Sequence, residues 1–173
     1  SSNKSLVLCD LETGNQRARL EGHTNVVTTV AYHPTDSRLA ISGGRDQFLR
    51  LWDLSTGQQI ARIRTESGIL SVAFSPDGST IAAGFQRETG KSNAVVRLYE
   101  TARLRSVGSM STAEDRAVIT DTIVFENNGH SDDVLTIAYS PDGRIIASGG
   151  GFTDASIILW EIATRQPVLT LNG

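Results

Sequence analysis

Three stretches of this chain repeat one pattern in register, and that repetition restricts the fold more than any other feature of the sequence. They run from Val26 to Gly44, from Ile69 to Gly84 and from Val134 to Gly150. Each is a short apolar run, a turn around a proline (Pro34, Pro76 or Pro141), and a second apolar run that ends in glycine. In two of them the turn reads Pro-Asp-Gly, at Pro76–Gly78 and Pro141–Gly143. Proline presets φ there and glycine accepts a positive φ, so the chain reverses within a few residues. A third apolar run follows each time, as Phe48–Asp53, Val95–Glu100 and Ile157–Glu161. After the first of these comes a Ser55-Thr-Gly57 turn and a fourth run, Gln59–Arg64. Four short strands per unit, recurring at about 40–60 residues, is the spacing of propeller blades. No segment sustains a 3.6-residue apolar period, so an all-β chain with little helix is expected.

Composition narrows the function classes. The 173 residues are 39% hydrophobic and 20% charged, with a formal net charge of −3. A chain of this size and composition buries a core. The mild negative charge supplies no electrostatic reason for general nucleic-acid or membrane binding. Cys9 is the only cysteine, which excludes an intrachain disulfide and a cysteine-based zinc site; beside Leu8 it reads as a core filler. No run approaches the roughly 20 apolar residues of a membrane-spanning helix, and the N-terminal residues lack a signal peptide's apolar core. A cytoplasmic or nuclear location is the expectation.

Dipeptides at the unit boundaries carry a family resemblance. Gly22-His23 and Gly129-His130 open two units, and Trp52-Asp53 closes one. Trp160-Glu161, Tyr99-Glu100 and Cys9-Asp10 stand at the same place in degenerate form. His and Trp are 29 residues apart in the first full unit and 30 in the third. The chain resembles the WD-repeat β-propeller family along nearly its whole length. The resemblance implies an incomplete propeller of four-stranded antiparallel blades, with an outer half-blade followed by three full blades. On this reading residues 1–21 are the half-blade, 22–64, 65–110 and 129–173 the full blades, and 111–128 an insertion.

The resemblance also implies a buried hydrogen-bonded set in each regular blade. The first blade supplies His23, Ser42, Asp46 and Trp52, and the third supplies His130, Ser148, Asp154 and Trp160. A buried indole N–H needs an acceptor, a hydroxyl both donates and accepts, and a carboxylate fixes one imidazole tautomer. The middle blade departs from the pattern. Thr65, Ala83 and Tyr99 replace His, Ser and Trp, and the Asp position falls near Asn93. That blade is expected to depend on apolar packing and to be the softest of the three.

Serine, histidine and aspartate together also invite a hydrolase reading. Against it, the set recurs with tryptophan at a fixed offset, and no Gly-x-Ser-x-Gly turn presents either serine. His33 reads as an exposed turn residue. The three histidines show no metal-ligand spacing, and Gly149–Gly151 lacks the Lys-Ser/Thr of a phosphate loop, so no cofactor or metal is expected.

Two turns between second and third strands are enlarged. In the first unit Arg45 alone separates Gly44 from Asp46, whereas the third unit has Gly151–Asp154 and the second Phe85–Asn93. Tyr99–Met110 aligns without gaps to Trp160–Leu171, which places the middle blade's fourth strand at about Arg105–Met110 and rejects Ile119–Phe125. Ser111–Asn128 then becomes an insertion before Gly129. It is read as a partner-contacting flap with Val118, Ile119, Ile123 and Phe125 on its apolar side, removable over Thr112–Glu126 without loss of folding. Arg45, Phe85, Arg87 and Phe152 complete the candidate partner-binding residues.

These features point to a non-catalytic scaffold for protein or peptide partners, and to a piece of a larger propeller whose remaining blades come from the same or another chain. The alternative is a module binding nucleic acid or acidic tails through Arg45, Arg87, Lys91, Arg103, Arg105 and Arg116. Glu88, Glu114 and Asp115 interrupt that basic series and weaken it.

Overall fold

A computed structural model describes residues 4–88, 94–107, 123–125 and 129–173. Strands β1 (Ser5–Cys9) and β2 (Gln16–Glu21) form a two-stranded sheet. β3 (Val27–Tyr32), β4 (Leu39–Gly44), β5 (Phe48–Asp53) and β6 (Gln58–Arg64) form the first four-stranded sheet. The second contains β7 (Ile69–Phe74), β8 (Thr80–Phe85), β9 (Val96–Glu100) and β10 (Ile123–Phe125), and a short helix α1 (Thr101–Val107) lies between β9 and β10. The third contains β11 (Val134–Tyr139), β12 (Ile145–Gly150), β13 (Ser156–Glu161) and β14 (Gln166–Asn172). Every pairing is antiparallel and follows chain order, so each four-stranded sheet is a propeller blade. Three blades and a half fall short of the roughly four to eight that close a ring, and the fold is an incomplete β-propeller.

Local chemistry explains the turns. Ser75 and Ser140 accept the amides of Thr80 and Ile145 at 3.0 Å each, and Asp77 accepts the Ser79 amide at 3.0 Å. Gly78 takes φ 74°, where a side chain is strained. In the first blade His33 stands in the serine's place, and its Nδ1 accepts the Asp36 amide at 3.0 Å. The ring is half-buried rather than exposed. It meets Phe74 of the next blade edge-on at 4.9 Å and fills the space where a Cβ on Gly78 would fall.

The core lies between blades. Ile41, Leu49, Leu51 and Ile63 of the first blade pack against Ile69, Val72, Ile81 and Phe85 of the second. Val96, Leu98 and Phe125 of the second pack with Val134, Ile137, Ile146 and Trp160 of the third. Alternation in β1 turns Val7 and Cys9 to a face that no described residue covers. Cys9 is therefore exposed rather than a core filler.

The middle blade's fourth strand is not Arg105–Met110. Ile123–Phe125 occupies that position, with Phe125 opposite Val96 and Ile123 opposite Leu98. Thr101–Val107 is helical instead and places Leu104 in the core between the first two blades, close to β6. The physical reason is side-chain supply. Thr101–Arg105 offers one large apolar residue between two arginines, enough to anchor a helix turn. The Phe125 ring fills the fourth-strand position that Ile63 fills in the first blade, leaving 1% of it exposed. The extra chain thus lies between the third and fourth strands, not after the fourth, and the expected boundaries at 110 and 128 move accordingly. Removing Thr112–Glu126 would delete a blade strand.

Candidate functional site

The connections entering β3, β7 and β11 and the turns β4–β5, β8–β9 and β12–β13 gather at one end of the sheets. Backbone bonds tie them together: Arg45 N–H to Val26 O at 2.9 Å, Gln86 N–H to Gly68 O at 2.8 Å, and Ala94 N–H to His130 O at 2.7 Å.

Beneath this end lie two side-chain sets. In the first blade Trp52 Nε1–H donates to Ser42 Oγ at 2.8 Å, Ser42 Oγ lies 2.8 Å from His23 Nε2, and His23 Nδ1 lies 2.9 Å from Asp46. The indole can only donate, so the serine proton goes to Nε2 and Nδ1–H faces the carboxylate. In the third blade Trp160 Nε1–H meets Ser148 Oγ at 2.8 Å, Ser148 meets His130 Nε2 at 2.7 Å, and His130 Nδ1 meets Asp154 at 3.0 Å. Asp46 and Asp154 also receive the amides of Thr24 and Ser131, so each set ties a connection to the sheet below it. Ser42 is fully buried and Ser148 is 1% exposed, and each hydroxyl already serves an indole and an imidazole. A substrate has no path to either oxygen.

Each set has a member that the repeat pattern did not single out. Arg50, 2% exposed, donates to Asp46 at 3.2 Å and to Gln59 at 2.5 Å, with its guanidinium 4.9 Å from the Phe48 ring centre. In the third blade Ile158 holds the equivalent position, and Ser156 donates to Asp154 instead. The sequence signal for Arg50 is an arginine amid the apolar residues of a central strand.

Burial alone would raise the Asp46 carboxyl. Hydrogen bonds from His23, the Thr24 amide and Arg50 overcome it and bring the carboxyl down to about 2. A carboxyl lowered from the usual 3.8 contributes stability that is present above pH 4 and lost as pH falls through 2. The stability of the chain is therefore expected to drop by about 2 kcal/mol across that window on account of this one group. Urea midpoints measured between pH 5 and pH 2 should show a shallower slope in Asp46→Asn, and an unchanged slope would rule the assignment out.

The middle blade is built differently. Thr65 is buried and donates to Ser67 O at 2.9 Å, and Ala83 is fully buried. Tyr99 lies in the core between the first two blades; burial pushes its phenol up to about 12 despite a hydrogen bond with Arg97. Arg97 also reaches Glu66 at 2.6 Å. Asn93 lies outside the described residues.

The expected partner-facing residues divide sharply. Phe152 is 98% exposed at the tip of the β12–β13 turn. Asp132 pins that turn by accepting the Thr153 amide at 3.1 Å and its hydroxyl at 2.9 Å. Arg87 is exposed, and its amide is held by Asp133 at 2.8 Å; Arg45 is exposed on the β4–β5 turn. Phe85 and Phe125, in contrast, face the core and not a partner. Phe85 is 2% exposed under the Arg97 guanidinium, and Phe125 packs edge-on against Trp160 at 5.5 Å. Their alternation within β8 and β10 points both rings at a neighbouring blade. Ile123 lies in β10, while Val118 and Ile119 fall outside the described residues. Among the described residues no cluster of three or more histidine, cysteine or acidic side chains could hold a metal, and no helix is long and apolar enough to cross a membrane.

Four-stranded blades in chain order, with a Trp–Ser–His–Asp set buried in two of them, define a repeat protein of the β-propeller class. Residues 14–53, 57–100 and 121–161 match the family described as "WD domain, G-beta repeat". The chain belongs to that family. Each matched segment opens on the outer strand of one blade (β2, β6 and β10) and closes on the third strand of the next, the same frame in which β10 is a fourth strand. The chain is 29% identical over 88% of its length to the small ribosomal subunit protein RACK1 of Schizosaccharomyces pombe, covering 43% of that protein. It is 27% identical over its whole length to a guanine nucleotide-binding protein subunit beta of Oryza sativa, covering 43% of it. Over 83% of its length it is 27% identical to the B-type cell cycle switch protein ccs52B of Medicago truncatula, covering 25%. The chain thus spans less than half the length of these relatives.

Proposed function

We propose that this chain is a non-catalytic scaffold mediating protein–protein interaction, one part of a larger propeller in the cytoplasm or nucleus. Two of the relatives are by name subunits of larger assemblies, which supports an assembly role. The observation that carries the reading is Phe152. An aromatic ring 98% exposed on a turn pinned by Asp132 loses little entropy when a partner buries it, and such rings dominate binding energy at interfaces. Arg87 and Arg45 stand on neighbouring turns of the same end and supply the polar rim. Further blades are inferred because a ring of about four to eight is needed for closure.

The nucleic-acid alternative draws less support. Arg103 pairs with Glu100 at 2.8 Å, and Lys91 and Arg116 lie outside the described residues. Quantitative affinity capture compares the wild type with Phe152→Ala and with a distant surface variant, Arg38→Ala. Specific partners should fall by about tenfold or more with Phe152→Ala alone, in line with an interface anchor. Equal capture by both variants would remove Phe152 from the interface, and capture lost steeply with added salt would favour a polyanion.

A further inference from the structure

Phe48 carries two guanidiniums. That of Arg50 lies 4.9 Å from the ring centre and that of Arg62 lies 5.4 Å from it. The two arginines stand directly opposite each other on β5 and β6. Like charges in that position repel, and burial strengthens the repulsion. Burial lowers the Arg50 guanidinium from its ordinary value, and the Arg62 charge lowers it further against the pull of Asp46. Asp46 is the one carboxylate bonded to this pair of cations, and Arg50 and His23 already share it. Arg62 is half-buried and has no hydrogen-bond or ion-pair partner among the described residues. Its Nε is sealed from solvent, whereas its terminal N–H groups are neither sealed nor bonded.

The repeat itself does not require this arrangement. In the third blade Ile158 and Thr170 hold the two arginine positions, and Ser156 holds that of Phe48. In the second, Arg97 stands opposite Val124 and is paired with Glu66. All three blades build the same antiparallel ladder. Of the three, the first alone sets two arginines face to face, and it leaves one of them without a counter-charge. A half-buried cation that the fold neither needs nor neutralises is poised for an anion from outside.

We propose that Arg62, backed by Phe48 and Arg50, binds one carboxylate of a protein partner, carried by an aspartate, a glutamate or a chain end. The outward edge of a guanidinium offers two parallel N–H groups, which a carboxylate accepts in bidentate fashion. A single negative charge balances the single uncompensated positive one. A phosphate dianion would leave an excess charge close to Asp46. Contact with the Phe48 ring sets the guanidinium plane before the ligand arrives, so little side-chain freedom is lost on binding. Phe48 and Arg62 lie where β5 and β6 meet the end of the sheets that carries Arg45, so a partner seated there reaches them. The proposal rests on the scaffold reading for the source of the carboxylate, and it adds a site on the first blade to Phe152 on the third.

The test titrates the whole chain with sodium acetate, against sodium chloride at equal ionic strength, and follows the arginine side chains in nitrogen-15 spectra. The Arg62 Nε–H resonance should shift saturably with acetate and not with chloride, while Arg38 and Arg45 respond alike to both salts. Arg62→Met should abolish the acetate response at Arg50 Nε–H. It should not lower the urea midpoint, because it removes a repelling charge. A clearly lower midpoint would make Arg62 a structural cation and overturn the proposal. Equal acetate shifts at Arg62 and Arg45 would overturn it too, as surface attraction only. Saturation by inorganic phosphate but not by acetate would reassign the site to a phosphate group. These readouts do not involve Phe152, so their failure leaves the scaffold reading to stand or fall on affinity capture.

Discussion

Replacing Asp46 with alanine is expected to cost about 3–5 kcal/mol, because it leaves a buried cation without its counter-charge. Arg50 is 2% exposed, its Nε already lacks a hydrogen-bond partner among the described residues, and after the substitution the guanidinium would keep the Gln59 hydrogen bond and the Phe48 ring but no counter-charge among them. His23 Nδ1 and the Thr24 amide lose their acceptor in the same step. The double variant Asp46→Ala/Arg50→Met should regain at least half of the loss, since a buried pair replaced by apolar groups of similar size is often neutral. Asp154→Ala, whose carboxylate faces Ser156 rather than an arginine, should cost less than Asp46→Ala. Urea denaturation of the four chains checks this order. Equal losses for the two aspartates would show that Arg50 contributes nothing to the first set.

Phe125→Ala is expected to cost a further about 3–5 kcal/mol by opening a cavity between the second and third blades. The ring is 1% exposed and lies 5.5 Å from the Trp160 ring. Trp160 should therefore report the loss directly, through a red shift of the fluorescence that it contributes. Phe125→Leu, which keeps much of the volume, should cost less than half as much. The variant also decides between the two strand assignments. With Arg105–Met110 as fourth strand and Phe125 on a surface flap, alanine would change stability by less than about 0.5 kcal/mol.

The blades were legible because each strand's apolar residues and each turn's proline are local signals that recur three times, with Pro-Asp-Gly in two of the turns. The set His23, Ser42, Asp46 and Trp52 was implied by the resemblance to WD repeats, as were the gaps in the middle blade at Thr65, Ala83 and Tyr99. Phe85 and Phe125 were misread for a definite reason. An aromatic residue beside an enlarged turn has the same local pattern whether it faces solvent or the next blade. The β10 assignment failed similarly. A gapless alignment to the third blade weighs chain length, and length does not register that Phe125 fills the fourth-strand position against Val134 and Trp160 while Leu104 anchors a helix. Arg50 was passed over because its partners Asp46 and Gln59 meet only after three strands are laid side by side.

By itself, then, the sequence determined the unit: a four-stranded blade and its turns, which depend on neighbours within about forty residues, and through them the family resemblance that implied the buried set. Tertiary structure alone decided what each face of that unit meets. Whether Phe152 stands in solvent and Phe125 in the core, and whether a glycine at the end of a second strand meets a neighbour, as Gly43 meets Ile69, or no other blade among the described residues, as at Gly149, depends on a side chain from another blade. Side chains at the same place in the repeat read alike along the chain, and only the presence or absence of the adjoining sheet makes one a core residue and the other a surface.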